Sequence, residues 1–259
     1  MSMLKLGGEV FEYEISGPED ADVIVFSNSL GTTLSLWDVQ SEELSTDFRV
    51  LRYDTRGHGG SVKSKGPYTF KQLGTDVLNL VDALGIEHFS FCGISMGGLV
   101  GQWLGINAEA RIDKLILCNT AARLGTAEAW LERAGLVRLR GMVPVVKGTP
   151  GRWFTPRFLE MHAELAQQRL NELSRTDAEC YAACCEALAN ADFRHDVSSI
   201  KAPTLVIGGM YDPVTTLTDA DFLAQRIPGA ACVSLEASHL SNLEAADVFT
   251  LTIRKYLEA

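Results

Sequence analysis

The strongest constraint on this 259-residue chain is a rhythm of short apolar runs separated by stretches of helical period. Apolar strands are predicted at Val23–Phe26 in ADVIVFSNSLG, in FRVLRYD, in HFSFCGIS and at Leu115–Cys118 in DKLILCN. Between the second and third of these, TFKQLGTDVLNLVDALGI places Phe70, Leu73, Val77, Leu80, Val81 and Leu84 near one helical face, with Gly85 as a stop. Met96 to Ala108 also reads as helix. Strands and helices that alternate in this way favour an α/β fold with a mostly parallel sheet covered on both faces. After Asn119 the pattern changes to helix-like stretches, broken by a loop at GMVPVVKGTPGRWFTP. Strands resume at APTLVIGGMYD and ACVSLEA, and a last helix runs from about Ala245 to Leu257. This order predicts one core domain, residues 1–122 and 191–259, with a helical insertion at 123–190.

Composition removes several function classes. With 46% apolar and 22% charged residues the chain can bury a large core, and disorder is not expected beyond the termini. The net charge of -10 disfavours non-specific attraction to nucleic acid or to an anionic membrane surface. MSMLKLGGEVFEYE lacks the apolar core of a secretory signal, and no apolar run reaches the roughly 20 residues that span a bilayer. A cytoplasmic protein without membrane contact is the expectation. The six cysteines then read as reduced thiols, mostly buried, and no metal is assigned because Cys180 and Cys184 have no histidine at a zinc-site spacing.

Chemistry is concentrated in three short segments. GISMGG holds Ser95 between Gly93 and Gly97 at a strand-to-helix junction, where side chains absent on either side let strand and helix approach closely. Taken alone, Ser95 is either a nucleophile or a hydroxyl at a tight turn. His239 in EASHLSNLE follows a late strand, and Asp212 in MYDPV follows another, with Pro213 pinning the backbone. Separately these read equally as a loop histidine and an Asp-Pro turn. Together, in the order Ser95, Asp212, His239, they make a nucleophile, an orienting carboxylate and a base. The amide of Met96, at the start of the following helix, points toward a developing oxyanion.

These segments, together with SNSLG and YDTRGHGGS, resemble the α/β-hydrolase family over nearly the whole length. The resemblance implies an eight-stranded, mostly parallel sheet with a helical cap inserted after the sixth strand. It also implies Ser95 as nucleophile, Asp212 as orienting acid, His239 as base and then acid, and Leu30 and Met96 as backbone oxyanion donors. A common family pattern has His-Gly in the early oxyanion loop, where this chain has Asn28 and Ser29. His58 in DTRGHGGS is given a mainly structural role, His88 flanks a strand, and His162 and His195 are read as surface or packing residues. Neither metal nor redox cofactor is needed.

Within the family the closer resemblance is to enol-lactonases, carried by the catalytic segments and by YAACCEAL and ADFRHDV at the end of the insertion. It implies a small anionic partner, a lactone with a remote carboxylate. The span from Arg123 to Arg175 holds eight arginines and Lys147 against five acidic residues, a basic region in an acidic chain. Arginine forks onto carboxylates, and tryptophan provides an apolar wall. Arg133 with Trp153 is therefore the favoured substrate-binding pair, with Trp130 and Arg138 as further candidates. Another esterase or thioesterase, a cofactor-independent haloperoxidase or perhydrolase, and a non-enzymatic small-molecule receptor share this framework, and a homo-oligomer is left open.

Overall fold

The apolar runs become the inner strands of one eight-stranded sheet in the computed structural model, which describes residues 1–259. The strands are β1 (Ser2–Leu6), β2 (Glu9–Ser16), β3 (Val23–Ser27), β4 (Arg49–Tyr53), β5 (Phe89–Ile94), β6 (Ile112–Cys118), β7 (Thr204–Gly209) and β8 (Ala231–Leu235). Their spatial order is β1-β2-β4-β3-β5-β6-β7-β8. The β1/β2 and β2/β4 pairings are antiparallel and the remaining five are parallel. Every residue of β5 and β7 is buried, which is why these strands are apolar without alternation.

The β1–β2 hairpin was not among the strands read from the apolar runs. It lies at the sheet edge and is largely exposed or half-buried, so its apolar signal is weak. Its turn is nevertheless written in the chain. Gly7 and Gly8 both have positive φ, 56° and 98°, as a two-residue hairpin loop of right-handed twist requires.

Three helices belong to the first half: α1 (Asp38–Leu44), α2 (Phe70–Ala83) and α3 (Met96–Asn107). In α2 the Thr69 hydroxyl accepts the Gln72 amide at 3.1 Å, and Phe70, Leu73, Val77, Leu80 and Val81 are buried as the periodicity predicts. Each such side chain contributes roughly 1.5–3 kcal/mol on burial. Between β6 and β7 come α4 (Ala127–Arg140), α5 (Val143–Gly148), α6 (Pro150–Trp153), α7 (Pro156–Met161), α8 (Ala163–Ser174) and α9 (Ala178–Asn190). The core closes with α10 (Leu217–Arg226), α11 (Ser241–Glu244) and α12 (Ala246–Glu258).

The stretch GMVPVVKGTPGRWFTP, expected as a loop, instead contains α5 and α6. Pro144 and Pro150 fall in the first turns of these helices, where a missing N–H costs nothing, so they start helices rather than break them.

α4 and α9 pack lengthwise, with Trp130, Ala134 and Val137 buried on one and Tyr181, Cys184 and Cys185 on the other. The inserted helices lie across loops at the C-terminal ends of the strands. A Cβ on Gly31, after β3, would stand 2.3 Å from Leu173, and one on Gly57, after β4, 2.7 Å from Cys180. The Leu240 amide, after β8, donates to the Trp153 carbonyl at 3.1 Å. All six cysteines are free thiols; five are buried and Cys232 is exposed.

Candidate active site

Ser95 is the single residue between β5 and α3, and its backbone is strained, with φ 58° and ψ -113°. The strain is held by hydrogen bonds on both sides of the residue. Its amide donates to the Cys118 carbonyl at 2.9 Å, and its carbonyl accepts the Thr120 hydroxyl at 2.8 Å. The flanking glycines are required by contact. A Cβ on Gly93 would lie 2.1 Å from the Gly97 carbonyl oxygen, and one on Gly97 would lie 2.3 Å from that of Ser27. Because both obstacles are backbone, no rotamer relieves them. Gly93→Ala is therefore expected to destabilise the fold by about 3 kcal/mol or more, read as a lower urea midpoint. A midpoint equal to that of the unmodified protein would contradict the close approach.

The fold brings Asp212 and His239 to this serine. His239 Nε2 lies 2.9 Å from Ser95 Oγ, and its Nδ1 lies 2.8 Å from Asp212 Oδ2. All three are nearly sealed from solvent, at 6%, 5% and 2% exposure for Ser95, Asp212 and His239. Burial alone would raise the Asp212 pKa, but the His239 ring and hydrogen bonds from His239, Thr215 and Asn119 hold it below the ordinary carboxylate value. An ionised Asp212 accepts from Nδ1–H, which leaves Nε2 free to accept the Ser95 proton.

Sequence reasoning missed the residues that hold Asp212. Its Oδ1 accepts the amides of Val214 and Thr215 at 2.7 and 3.0 Å, and its Oδ2 accepts the Thr215 hydroxyl at 2.6 Å and Asn119 Nδ2 at 3.0 Å. Asn119 follows β6 with a left-handed φ of 42°, also donates to the Ser238 carbonyl, and accepts the Ser241 hydroxyl at 2.5 Å. The available signal was an asparagine, tolerant of positive φ, at the C-terminal end of a buried strand.

Two backbone amides without acceptors are the candidate oxyanion donors for Ser95. Met96 opens α3, where a first-turn amide has no intrahelical acceptor. The Leu30 amide, in the loop after β3, has no acceptor in the chain. The loop itself is well tied. The Asn28 carbonyl accepts Gly97 N–H at 3.1 Å, Asn28 Nδ2 donates to the Tyr53 carbonyl at 2.8 Å, and Thr32 donates both its amide and its hydroxyl to the Ser29 carbonyl. Asn28, which replaces the family's common residue here, thus anchors the loop to β4.

The segment DTRGHGGS forms a knot beneath that loop. Asp54 accepts the Leu34 and Gly60 amides at 2.7 and 3.0 Å, and Arg56 forks onto Asp76 and Glu9. His58 is buried with both ring nitrogens occupied by backbone groups, and burial pushes its pKa down to about 4. Of the other histidines, His88 and His195 are exposed and His162 stacks on Phe158 at 4.6 Å.

Residues 22–140 match the family described as alpha/beta hydrolase fold. The 3-oxoadipate enol-lactonase 2 of Acinetobacter baylyi is 46% identical over 246 residues, covering 95% of this chain and 92% of that protein. The chain belongs to the α/β-hydrolase family. Another relative of this α/β-hydrolase, 3-oxoadipate enol-lactonase 1 of the same organism, is 45% identical over 93% of the chain and 91% of that protein. The crystal structure of the enol-lactonase from Burkholderia xenovorans LB400 superposes with a TM-score of 0.98 at 45% identity, covering 100% of both chains.

The inserted helices of this α/β-hydrolase sort the four substrate-binding candidates. Arg138 forks onto Glu179 at 2.7–3.1 Å and also meets Glu186 at 2.5 Å on the exposed side of α4 and α9, so its guanidinium is already neutralised by two carboxylates. Arg133 makes no ion pair and lies over the Trp130 ring at 4.8 Å, a cation–π contact. Trp130 is buried, and its indole N–H donates to the Leu124 carbonyl at 2.6 Å, which makes it a support for Arg133. Trp153 is buried against Phe154, and its carbonyl holds the His239 loop through Leu240.

Arg152 was not among the candidates, yet it is half-buried, makes no ion pair, and shares with Arg133 a cleft of about 370 Å³ between α4, α5 and α6. Burial and the neighbouring Arg133 charge lower its pKa. Tyr181 stands beside both guanidiniums and beside Gly31 of the oxyanion loop, with its hydroxyl pKa raised by burial. A surface cavity of about 700 Å³ between α7 and Tyr211, like the arginine cleft, has no triad residue in its walls.

Proposed function

We propose that this α/β-hydrolase opens 3-oxoadipate enol-lactone to 3-oxoadipate through an acyl-enzyme on Ser95, with residues 123–190 acting as a cap that recognises the substrate carboxylate. The observation that carries the reading is the unbroken hydrogen-bond chain from Asp212 through His239 to Ser95 beside the free Leu30 amide. The substrate reading is supported by relatives named as 3-oxoadipate enol-lactonases and by two arginines without ion pairs, which share a cleft with Glu132 and flank Tyr181, itself packed against Gly31.

In the first half-reaction Ser95 Oγ attacks the lactone carbonyl while His239 Nε2 takes its proton, and the Leu30 and Met96 amides stabilise the oxyanion. Collapse breaks the ring C–O bond. The leaving oxygen departs as an enolate and takes its proton from the His239 imidazolium, giving an enol that tautomerises to the 3-oxo form. Water then attacks the ester carbonyl with His239 again as base, and Ser95 regains its proton as the acid is released. Asp212 holds the imidazole tautomer and stabilises its charged form throughout.

The substrate's remote carboxylate is assigned to Arg133 and Arg152. Two partly desolvated guanidiniums at one point repel each other, and an anion between them relieves that repulsion. The test compares kcat/KM of the unmodified enzyme with Arg133→Ala and Arg152→Ala on the acidic lactone and on its neutral methyl ester. Each variant is expected to lose about 2–4 kcal/mol, roughly 30- to 1000-fold, on the acid and little on the ester. Equal losses on both substrates would remove the arginines from carboxylate recognition. Turnover of peroxide with acetate in preference to the lactone would overturn the lactonase reading itself.

A further inference from the structure

We propose that His58 is a positioning residue for the oxyanion hole, holding the Leu30–Gly31 segment so that the Leu30 amide stays aimed at the reacting carbonyl. This rests on the reading of Ser95 as nucleophile and Leu30 as oxyanion donor. The starting observation is that a buried histidine outside the triad spends both ring nitrogens on backbone groups. Gly31 N–H donates to Nε2 at 2.9 Å, and Nδ1 lies 3.2 Å from the Arg56 carbonyl oxygen. An amide can only donate and a carbonyl can only accept, so His58 is the neutral tautomer with its proton on Nδ1.

The loop geometry turns that bond into control of the hole. The Ser29 carbonyl and Leu30 amide share one planar peptide, and the two Thr32 bonds to Ser29 O fix that plane on one side. Gly31 N–H belongs to the next plane, and His58 is its only partner in the chain. Between the two planes Leu30 has two rotatable backbone bonds, and Gly31 beyond them has φ +82°, a region that adds little resistance for glycine. Without Nε2 the Gly31 amide is buried and unsatisfied, and its remedy is rotation of the loop, which carries the Leu30 amide with it. No other hydrogen bond from the DTRGHGGS segment reaches residues 29–31, because Asp54 and Arg56 are committed to Leu34, Gly60, Asp76 and Glu9.

Two variants separate positioning from mere packing. His58→Asn keeps a donor near Nδ1 for the Arg56 carbonyl but is too short to accept from Gly31, whereas His58→Gln carries an acceptor out to the Nε2 position. On the lactone, His58→Asn is expected to lower kcat by about 10- to 100-fold with KM within threefold, a fraction of the loss that follows removal of a whole oxyanion donor. His58→Gln should recover kcat to within about fivefold of the unmodified enzyme. Affinity for an alkylboronic acid, which mimics the tetrahedral adduct, should fall in step with kcat, while affinity for the ring-opened product stays constant. Equal kcat for His58→Asn and the unmodified enzyme overturns the inference, as does equal weakening of boronate and product. The underlying reading fails separately: a fluorophosphonate that does not label Ser95 in the unmodified enzyme removes the nucleophile before His58 is considered.

Discussion

Ser95→Ala is expected to lower kcat for lactone opening by about 10⁵- to 10⁶-fold and to abolish the acyl-enzyme while leaving the fold intact. The hydroxyl supplies the attacking oxygen, and nothing else within reach of His239 Nε2 can replace it. The backbone bonds that hold this position, from the Ser95 amide to Cys118 and from Thr120 to the Ser95 carbonyl, involve no side-chain atom of residue 95. Thermal stability should therefore stay level or rise, since the substitution removes a polar group with 6% exposure without removing those bonds. Rapid-quench mass spectrometry on the lactone checks the claim. An acyl adduct on any other residue, or kcat within tenfold of the unmodified enzyme, would sink the nucleophile assignment. Residual turnover from the two amides and from binding is compatible with it.

Asp212→Asn is expected to cost about 10³- to 10⁴-fold in kcat, together with a measurable loss of stability. The carboxylate accepts five hydrogen bonds: Val214 and Thr215 amides on Oδ1, and His239 Nδ1, the Thr215 hydroxyl and Asn119 Nδ2 on Oδ2. An asparagine has one accepting oxygen. Turned toward Oδ1, its NH₂ faces two amide donors. Turned toward Oδ2, it faces Asn119 and drives His239 into the tautomer with its proton on Nε2, where it cannot accept from Ser95. In either orientation the negative charge that stabilises the imidazolium is gone. The measurement is kcat across pH 5 to 9 alongside the thermal midpoint. A variant with unaltered kcat would show that Asp212 does not orient the base.

How much of this was legible differs from residue to residue. Ser95 could be read because its strained turn imposes a local geometry, and local geometry leaves a local mark in Gly93 and Gly97. Asp212 and His239 carry weaker marks, a polar residue just past an apolar strand, and became persuasive only as a set. The inner strands were legible because burial on both faces demands continuous apolar residues. The edge hairpin was not, since an exposed strand needs no such run, although Gly7 and Gly8 announced its turn.

In the inserted helices the division is sharper. Composition showed a basic region in an acidic chain, and Arg133 was favoured in it over Arg138, five residues away on the same helix, without any view of their partners. Packing of α4 against α9 separates them. It brings Glu179 and Glu186 onto Arg138 and leaves Arg133 facing Arg152, which comes from a stretch that reads as loop. The chain by itself thus determined the parallel sheet and the strained serine turn, because each follows from burial or backbone constraints acting over a few residues, and it marked the three candidate catalytic side chains only as polar residues at strand ends. Only the tertiary structure decided which arginines are free, that Asn119 and Thr215 hold Asp212, and that His58 meets Gly31. Those pairings join residues 27 to 93 positions apart or lie between separate helices, apart from the neighbouring Thr215 bond, and charge or polarity along a sequence does not say which partner will neutralise it.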